Sequence, residues 1–308
     1  MADKLSIVQS ILGSPHAEGQ ELLFHCPYCD HHKKKLSVNL DRDVFKCWVC
    51  NAKGRTRRIV RRFGTFLQLQ KWDELVQTPD VIRFNDVFFA PEFEEEKESL
   101  ELPRGFQSLV TSWPNDSHPA YRYLTSRGLT QSDINRWKIG YVEDGFWGGR
   151  IIVPSFNESG DLNYFVGRSY DNHDRKYMAP RVNKNIIFNE LYVEWDEDVI
   201  LVEGVFDAFK AYNSVPILGS TMSENSKLLK KIVENDTPVF VALDWDAEKK
   251  ARRLMRLLME YGVELYKINT RGIEDVGAIT KDHFLDLKKT ASLINPDTYI
   301  LYEMKNFI

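Results

Sequence analysis

All four cysteines of the chain lie between Cys26 and Cys50, spaced C-x2-C-x17-C-x2-C. Each C-x2-C pair makes a tight turn that aims two thiolates at one point. Two such turns close a tetrahedral cage suited to Zn²⁺, with every position taken by sulfur and none left for catalysis. Two disulfides or four free thiols are the alternatives, and disulfides are rare in a reducing compartment. Between the pairs the sequence has strand character at "LSVNL" and "VFKCW". The expectation is a small hairpin sheet near residues 22–54, with one structural zinc held by Cys26, Cys29, Cys47 and Cys50. His25, His31 and His32 read as surface neighbours, because four sulfurs already fill the site.

Charge divides the 308 residues further. Residues 1–70 carry twelve Lys/Arg against six Asp/Glu, and residues 73–101 carry ten Asp/Glu against two Lys/Arg. A basic N-terminal domain, residues 1–70, is thus followed by an acidic strip, "APEFEEEKESLELP", and residues 71–118 read as a solvated linker. In the basic module Ile59, Val60, Phe63 and Leu67 recur at helical spacing, with Arg55, Arg58 and Arg62 opposite. Phe45 and Trp48 add flat rings. Cations beside rings suit single-stranded nucleic acid, through phosphates and base faces, and Lys34, Trp48 and Arg58 are the candidates. A solvated helix with two core aromatics is the plainer alternative. No run of about eighteen apolar residues occurs, so no membrane span is expected. The N-terminus reads as a short amphipathic helix and not a secretory signal, so a cytoplasmic location is expected.

From about Pro119 strand-like and helix-like segments alternate. The apolar strand Val199–Val202 ends at Glu203-Gly204, and a helix starting at once carries Asp207 in "VFDAFKAYN". A later strand ends in "ALDWD", placing Asp244 and Asp246 at its carboxyl end. The β-α-β-α-β-α-β order predicts a parallel sheet covered by helices, with its site at the carboxyl ends of the strands. Carboxylates converging there need a cation, and oxygen-only ligands point to Mg²⁺ or Mn²⁺. Each Asp is also a good helix N-cap, which is the alternative for the D-x-D segment taken alone.

"VEGVFDAFKA" followed by "ALDWDAEKKARRLMRLL" resembles the Toprim domain. A four-cysteine zinc ribbon ahead of it resembles the DnaG-type primases of bacteria and their phages, the phage form more than the bacterial one. "YLTSRGLTQSDINRWKIGYV" and "GRIIVPSFNESGDLNYFVGRSYDNHDRKYMAP" resemble that family's basic subdomain. The resemblance implies a zinc ribbon joined to an α+β basic subdomain at residues 119–190. A Toprim α/β parallel-sheet core with C-terminal helices follows at 191–308, and a chain starting near Pro103 is expected to keep this core. It implies a DNA-dependent RNA primase making short RNA primers from NTPs on single-stranded DNA, in the cytoplasm, or the host's cytoplasm for a phage protein. By the same resemblance Glu203, Asp244, Asp246 and Lys176 are catalytic, and Asp207 and Asp275 join the Mg²⁺ ligands. Arg127, Arg168, Arg175 and Lys176 hold nucleotide or template, with Arg181 and Lys184 further basic residues nearby.

The sequence departs from that family in "DWDAEKKA", where a Gly commonly follows the D-x-D, and in "GIEDVGAI", where a Lys is missing before Asp275. No G-x4-G-K-[ST] occurs, so a separate replicative helicase is the expected partner, with a single-strand-binding protein as a further one. The rival reading is a Toprim-containing DNA-binding mediator of recombination or repair, or a nuclease, without polymerase activity.

Overall fold

The computed structural model describes residues 2–18, 21–29, 31–50, 52–76, 100–110, 118–171, 175–219 and 222–305. The chain divides into two compact units, Met1–Ala90 and Pro91–Ile308. Most of the acidic strip expected as linker, residues 91–99, lies outside the described residues. The ends of the expected 71–118 linker carry structure: residues 71–75 belong to a helix, and Gln107–Ser108 form a strand.

The first unit is an antiparallel sheet of five strands in sequential order. These are β1 (His16–Glu18), β2 (Glu21–Phe24), β3 (Leu36–Asn39), β4 (Val44–Cys47) and β5 (Lys53–Arg55). Helices α1 (Ala2–Leu12), α2 (Thr56–Phe63) and α3 (Phe66–Leu75) pack on it, through a core that includes Val8, Phe24, Leu36, Val38, Ile59, Val60 and Trp72. The single helical stripe expected from Ile59 to Leu67 is broken. Gly64 caps α2, and Thr65 starts α3 with a capping box to Gln68. The break turns the register, so Ile59 and Val60 are buried while Leu67 is 71% exposed. A Thr-x-x-Gln after Gly is the local signal that outweighs the spacing.

The second unit holds two further sheets. The first is antiparallel, in the order β10-β9-β8-β7-β6: β6 (Gln107–Ser108), β7 (Gly140–Val142), β8 (Arg150–Phe156), β9 (Leu162–Ser169) and β10 (Tyr177–Met178). Helices α4 (Pro119–Ser126) and α5 (Gln131–Arg136) accompany it. The next sheet has the order β12-β11-β13-β14-β15: β11 (Val199–Val202), β12 (Ser214–Pro216), β13 (Val239–Ala242), β14 (Leu265–Lys267) and β15 (Ser292–Ile294). Its first four strands are mutually parallel, as the alternation predicts, and β15 adds an antiparallel edge. The helices here are α6 (Val205–Ala208), α7 (Lys227–Glu234), α8 (Glu248–Glu260), α9 (Lys281–Lys289) and α10 (Pro296–Lys305). The helix expected in "VFDAFKAYN" is one turn only, and Asn213, at φ 54, leads into β12.

Strand β11 shows why the parallel sheet sits centrally. Ile200 and Val202 face a core shared with Ile151, Val153, Tyr164 and Val166 of the antiparallel sheet. Val199 and Leu201 face a separate core with Leu229, Ile232, Leu254 and Leu258. All four β11 side chains are buried, each contributing about 1.5–3 kcal/mol relative to exposure. Burial on both faces is the reason the strand reads as a continuous apolar run. Leu100 and Leu102, before the expected start near Pro103, pack on a small core of Val142, Ile152 and Phe165. The packed part of the second unit therefore extends ahead of Pro103. Among the described residues no helix is long and apolar enough to cross a membrane.

Candidate active site and candidate zinc centre

Cys26 and Cys29 follow β2, Cys47 ends β4, and Cys50 lies on the turn after it. Their sulfurs all lie within 4.8 Å of one another, with Cys26–Cys50 at 3.7 Å and Cys29–Cys47 at 3.9 Å. A tetrahedral zinc with sulfur bonds near 2.3 Å sets sulfurs about 3.8 Å apart, so this donor set fits Zn²⁺. The Val49 N–H donates to the Cys47 sulfur at 3.4 Å, as suits a thiolate ligand. Of the ribbon residues singled out from sequence, Trp48 is 60% exposed, with Lys46 Nζ 4.3 Å from its ring centre. Lys34 Nζ donates to the Ser14 carbonyl at 2.6 Å. Arg58 lies half-buried on α2, and Phe45 belongs to the core.

In the second unit, Glu203 closes β11 and Asp244 stands two residues beyond β13, with Asp246 on the turn that follows. Each offers a carboxylate oxygen within 4.8 Å of the other two. Ligand oxygens around Mg²⁺ lie roughly 3–4 Å apart, and an all-oxygen set this close suits a hard divalent cation. Asp244 also accepts the Val276 N–H at 3.1 Å. Burial, and then the carboxylates of Glu203, Asp275 and Asp246, hold its pKa above the usual range against that hydrogen bond.

Asp207 and Asp275 fall outside this trio but border it. Asp207 is 7% exposed and accepts the Gly204 N–H at 2.7 Å. Burial pushes its pKa up to about 7, with the charges of Asp244, Asp275 and Glu203 adding to the effect against the Gly204 N–H. Gly277 makes the convergence sterically possible. A Cβ there would sit 2.8 Å from Asp207 Oδ1 and 2.9 Å from Asp275 Oδ1. The "GIEDVGAI" match to the family, weak by sequence, thus brings Asp275 to the acidic cluster.

The basic candidates meet the carboxylates in one cleft of about 1090 Å³. Arg127, Arg168, Arg175 and Lys176 line it together with Glu203, Asp207, Asp244 and Asp275. Arg168 donates to the Tyr123 hydroxyl at 2.8 Å, with its guanidinium 4.5 Å from the Tyr177 ring centre. Arg127 pairs with Asp275 at 3.0 Å. Arg181 and Lys184 extend the basic lining, and Phe146 and Trp147 add aromatic surface.

Three groups of residues escaped the sequence reading. Arg150, 2% exposed, reaches the Lys176 carbonyl at 3.5 Å and supports the segment carrying Lys176. Buried Lys210 donates to the Arg127 carbonyl at 2.7 Å, fixing the end of α4 where Gly128 adopts φ +78. Burial, and next the charge of Arg127, holds the Lys210 pKa below its ordinary value. Lys249, Lys250 and Arg253 border the Glu203–Asp244–Asp246 trio in a second, smaller cavity. The run "EKKARR", one residue after the D-x-D, was the available signal for these last three.

No family model matches the chain. It is 20% identical to a DNA primase of Halalkalibacterium halodurans over 283 residues, 75% of this chain and 47% of that protein. A structure of the Aquifex aeolicus primase, comprising zinc-binding and RNA polymerase domains, matches with a TM-score of 0.51 at 18% identity. That match covers 95% of this chain and 84% of that one. The DnaG primase catalytic domain bound to ssDNA matches with a TM-score of 0.52 at 17% identity, over 63% of this chain and 78% of that one. The fold is therefore that of a zinc-binding domain followed by an RNA polymerase domain. In sequence and in fold the chain is similar to DnaG-type primases. It spans about half the length of the curated relatives it matches.

Proposed function

We propose that this chain starts and extends short RNA primers on single-stranded DNA by metal-dependent nucleotidyl transfer. The observation that carries the reading is the single cleft lined by Glu203, Asp207, Asp244 and Asp275 and by Arg127, Arg168, Arg175 and Lys176. A DNA-binding mediator needs the cations, and a nuclease needs the carboxylates. Template, incoming nucleotide and metal together need both.

The reaction joins a ribonucleotide 3′-hydroxyl to the α-phosphate of a triphosphate, so the two must be held in line while phosphate charge is neutralised. Glu203, Asp244 and Asp246 are the residues that would hold a divalent cation, with Asp207 and Asp275 beside them. Mg²⁺ or Mn²⁺ bound there supplies part of the neutralisation. Arg168 and Arg175 suit two-pronged phosphate contact, and Lys176 suits a point contact close to the reacting phosphate. Tyr123, through a hydrogen bond, and Tyr177, through its ring face, hold the Arg168 fork. Arg127, tied to Asp275, links the basic wall to the acidic one.

The zinc-bound unit, through Lys34, Trp48 and Arg58, grips the template where a chain is to begin. Its four-sulfur cage supports a bacteriophage source. A replicative helicase would deliver the enzyme to the fork, a single-strand-binding protein would share its template, and the work would be done in the cytoplasm. The test is direct: single-stranded DNA, NTPs and Mg²⁺ should yield short RNA. Template binding with no RNA product under any divalent cation would leave the mediator reading in its place.

A further inference from the structure

A second cavity, of about 630 Å³, shares Glu203, Gly219 and Asp244 with the larger cleft. Its lining holds Glu203, Asp244 and Asp246 on one part and Lys249, Lys250 and Arg253 on another. The three cations come from one face of α8. The opposite face of that helix, Ala251, Leu254, Met255 and Leu258, is buried in the core, so the orientation of the basic face is fixed by packing.

The placement of these cations runs against helix electrostatics. Lys249 and Lys250 stand in the first turn of α8, where the positive end of the helix dipole favours acidic groups and disfavours basic ones. Lys250 finds one partner, Glu203, at 3.4 Å, with both side chains only partly exposed. Among the described residues Lys249 and Arg253 make no ion pair. Three carboxylates and three cations leave the cavity neutral. A divalent cation on the carboxylates makes it doubly positive, and the charge then calls for an anion of about two units that can reach both the metal trio and α8. A polyphosphate has that charge and that length.

We propose, on the polymerase reading above, that Lys249, Lys250 and Arg253 seat the polyphosphate tail of the incoming nucleoside triphosphate. In this assignment Lys250 exchanges partners. It neutralises Glu203 while the trio holds no metal, and it turns to the β- and γ-phosphates once a divalent cation takes that carboxylate. Lys250 and the cation therefore oppose each other in the absence of nucleotide and cooperate in its presence.

The test uses the full chain, with Mn²⁺ binding followed by electron paramagnetic resonance and ATP or AMP binding in Mg²⁺ by calorimetry. Lys250→Met should bind Mn²⁺ alone about two- to fivefold more tightly, because a competing charge is gone. The same variant should bind ATP about tenfold more weakly, since charge-assisted phosphate contacts are lost, with AMP unchanged. Arg253→Ala should weaken ATP and leave Mn²⁺ and AMP as they were, and Lys250→Arg should restore the wild-type pattern. A residue that merely supports the fold would not move Mn²⁺ and ATP in opposite directions. Mn²⁺ affinity unchanged or lowered in Lys250→Met overturns the exchange, and equal losses for AMP and ATP overturn the polyphosphate seat. A dinucleotide with a 5′-triphosphate that loses affinity in Arg253→Ala while ATP does not would put the primer's 5′ end there and overturn the assignment to the incoming nucleotide. Extension of a supplied primer by the unmodified chain tests the polymerase reading separately. No extension, with ATP still held by these side chains, sinks that reading and leaves the seat standing.

Discussion

Arg127 Nη1 lies 3.0 Å from Asp275 Oδ2, joining the end of α4 to the loop after β14 across 148 residues of chain. Each residue was expected on its own to serve the chemistry, one toward phosphate and one toward metal, and in the fold each also sets the position of the other. The pair is partly exposed, so its direct contribution to stability is within about 1 kcal/mol. Asp275→Asn should therefore leave the melting temperature within a few degrees of wild type and lower primer extension by about tenfold. Single-turnover extension beside a thermal melt checks it. A large loss of stability with full activity would make the pair a structural clamp.

Asp244→Ala and Asp246→Ala should each abolish primer synthesis, a loss of about a thousandfold or more. Template binding, measured by fluorescence anisotropy, should stay within about twofold, because the cations on the cleft remain. Asp244 is the more buried, and its pKa is raised chiefly by that burial and then by neighbouring carboxylates. Its removal should leave metal-free stability unchanged or slightly higher. Near-normal synthesis by either variant would separate these residues from the metal.

The zinc cage belongs to the Met1–Ala90 unit, so its loss should be felt there. Cys47→Ser should release zinc to a chelator and unfold that unit, since three ligands hold the metal far less well and binding is coupled to folding. A chain of residues 91–308, which keeps Leu100 and Leu102 on their core, should still extend a supplied primer. It should fail to start chains at a preferred sequence. Initiation and extension assayed on the same defined templates decide the matter. Unchanged, sequence-selective initiation by the shortened chain would remove the zinc unit from template recognition.

Asp133 gives the fold a dependence on pH. Burial alone would raise its pKa, but Lys281 Nζ at 2.6 Å and hydrogen bonds from Thr130 hold it below the ordinary carboxyl value. A folded-state pKa below the unfolded one adds stability that is fully present above the unfolded value, about 3.9. That stability is lost as pH falls through the folded value. Asp133→Asn should thus cost about 1 kcal/mol at pH 7 and lessen the fall in stability below pH 4. Urea melts at pH 7, 4 and 3 would show the two curves converging on the acid side, and parallel curves would refute the linkage.

How much of this was legible in the sequence depends on how far each feature reaches along the chain. The cysteine cage was legible because two C-x2-C turns carry their geometry within a few residues of themselves. Glu203 and Asp244 were legible because a strand buried on both faces must end where a charge appears, and parallel strands bring their carboxyl ends to one edge. The break at Gly64 was written in the local capping residues, and the helical spacing of Ile59 to Leu67 obscured it.

Other relationships have no local signature at all. The antiparallel edge strand β15 depends on which side of β14 the chain returns to. The contact of Arg127 with Asp275, the convergence of Asp207 and Asp275 on Gly277, and the reach of Lys210 to the Arg127 carbonyl join residues 68 to 148 positions apart. The same holds for Lys250 beside Glu203, 47 residues away. The sequence by itself determined the four-cysteine cage, the strand ends and the sign of charge on each segment, because those follow from short-range geometry and solvation. Only the tertiary structure decided which charges meet, because an ion pair is set by distance in space, and two packed sheets and the core between them fix that distance.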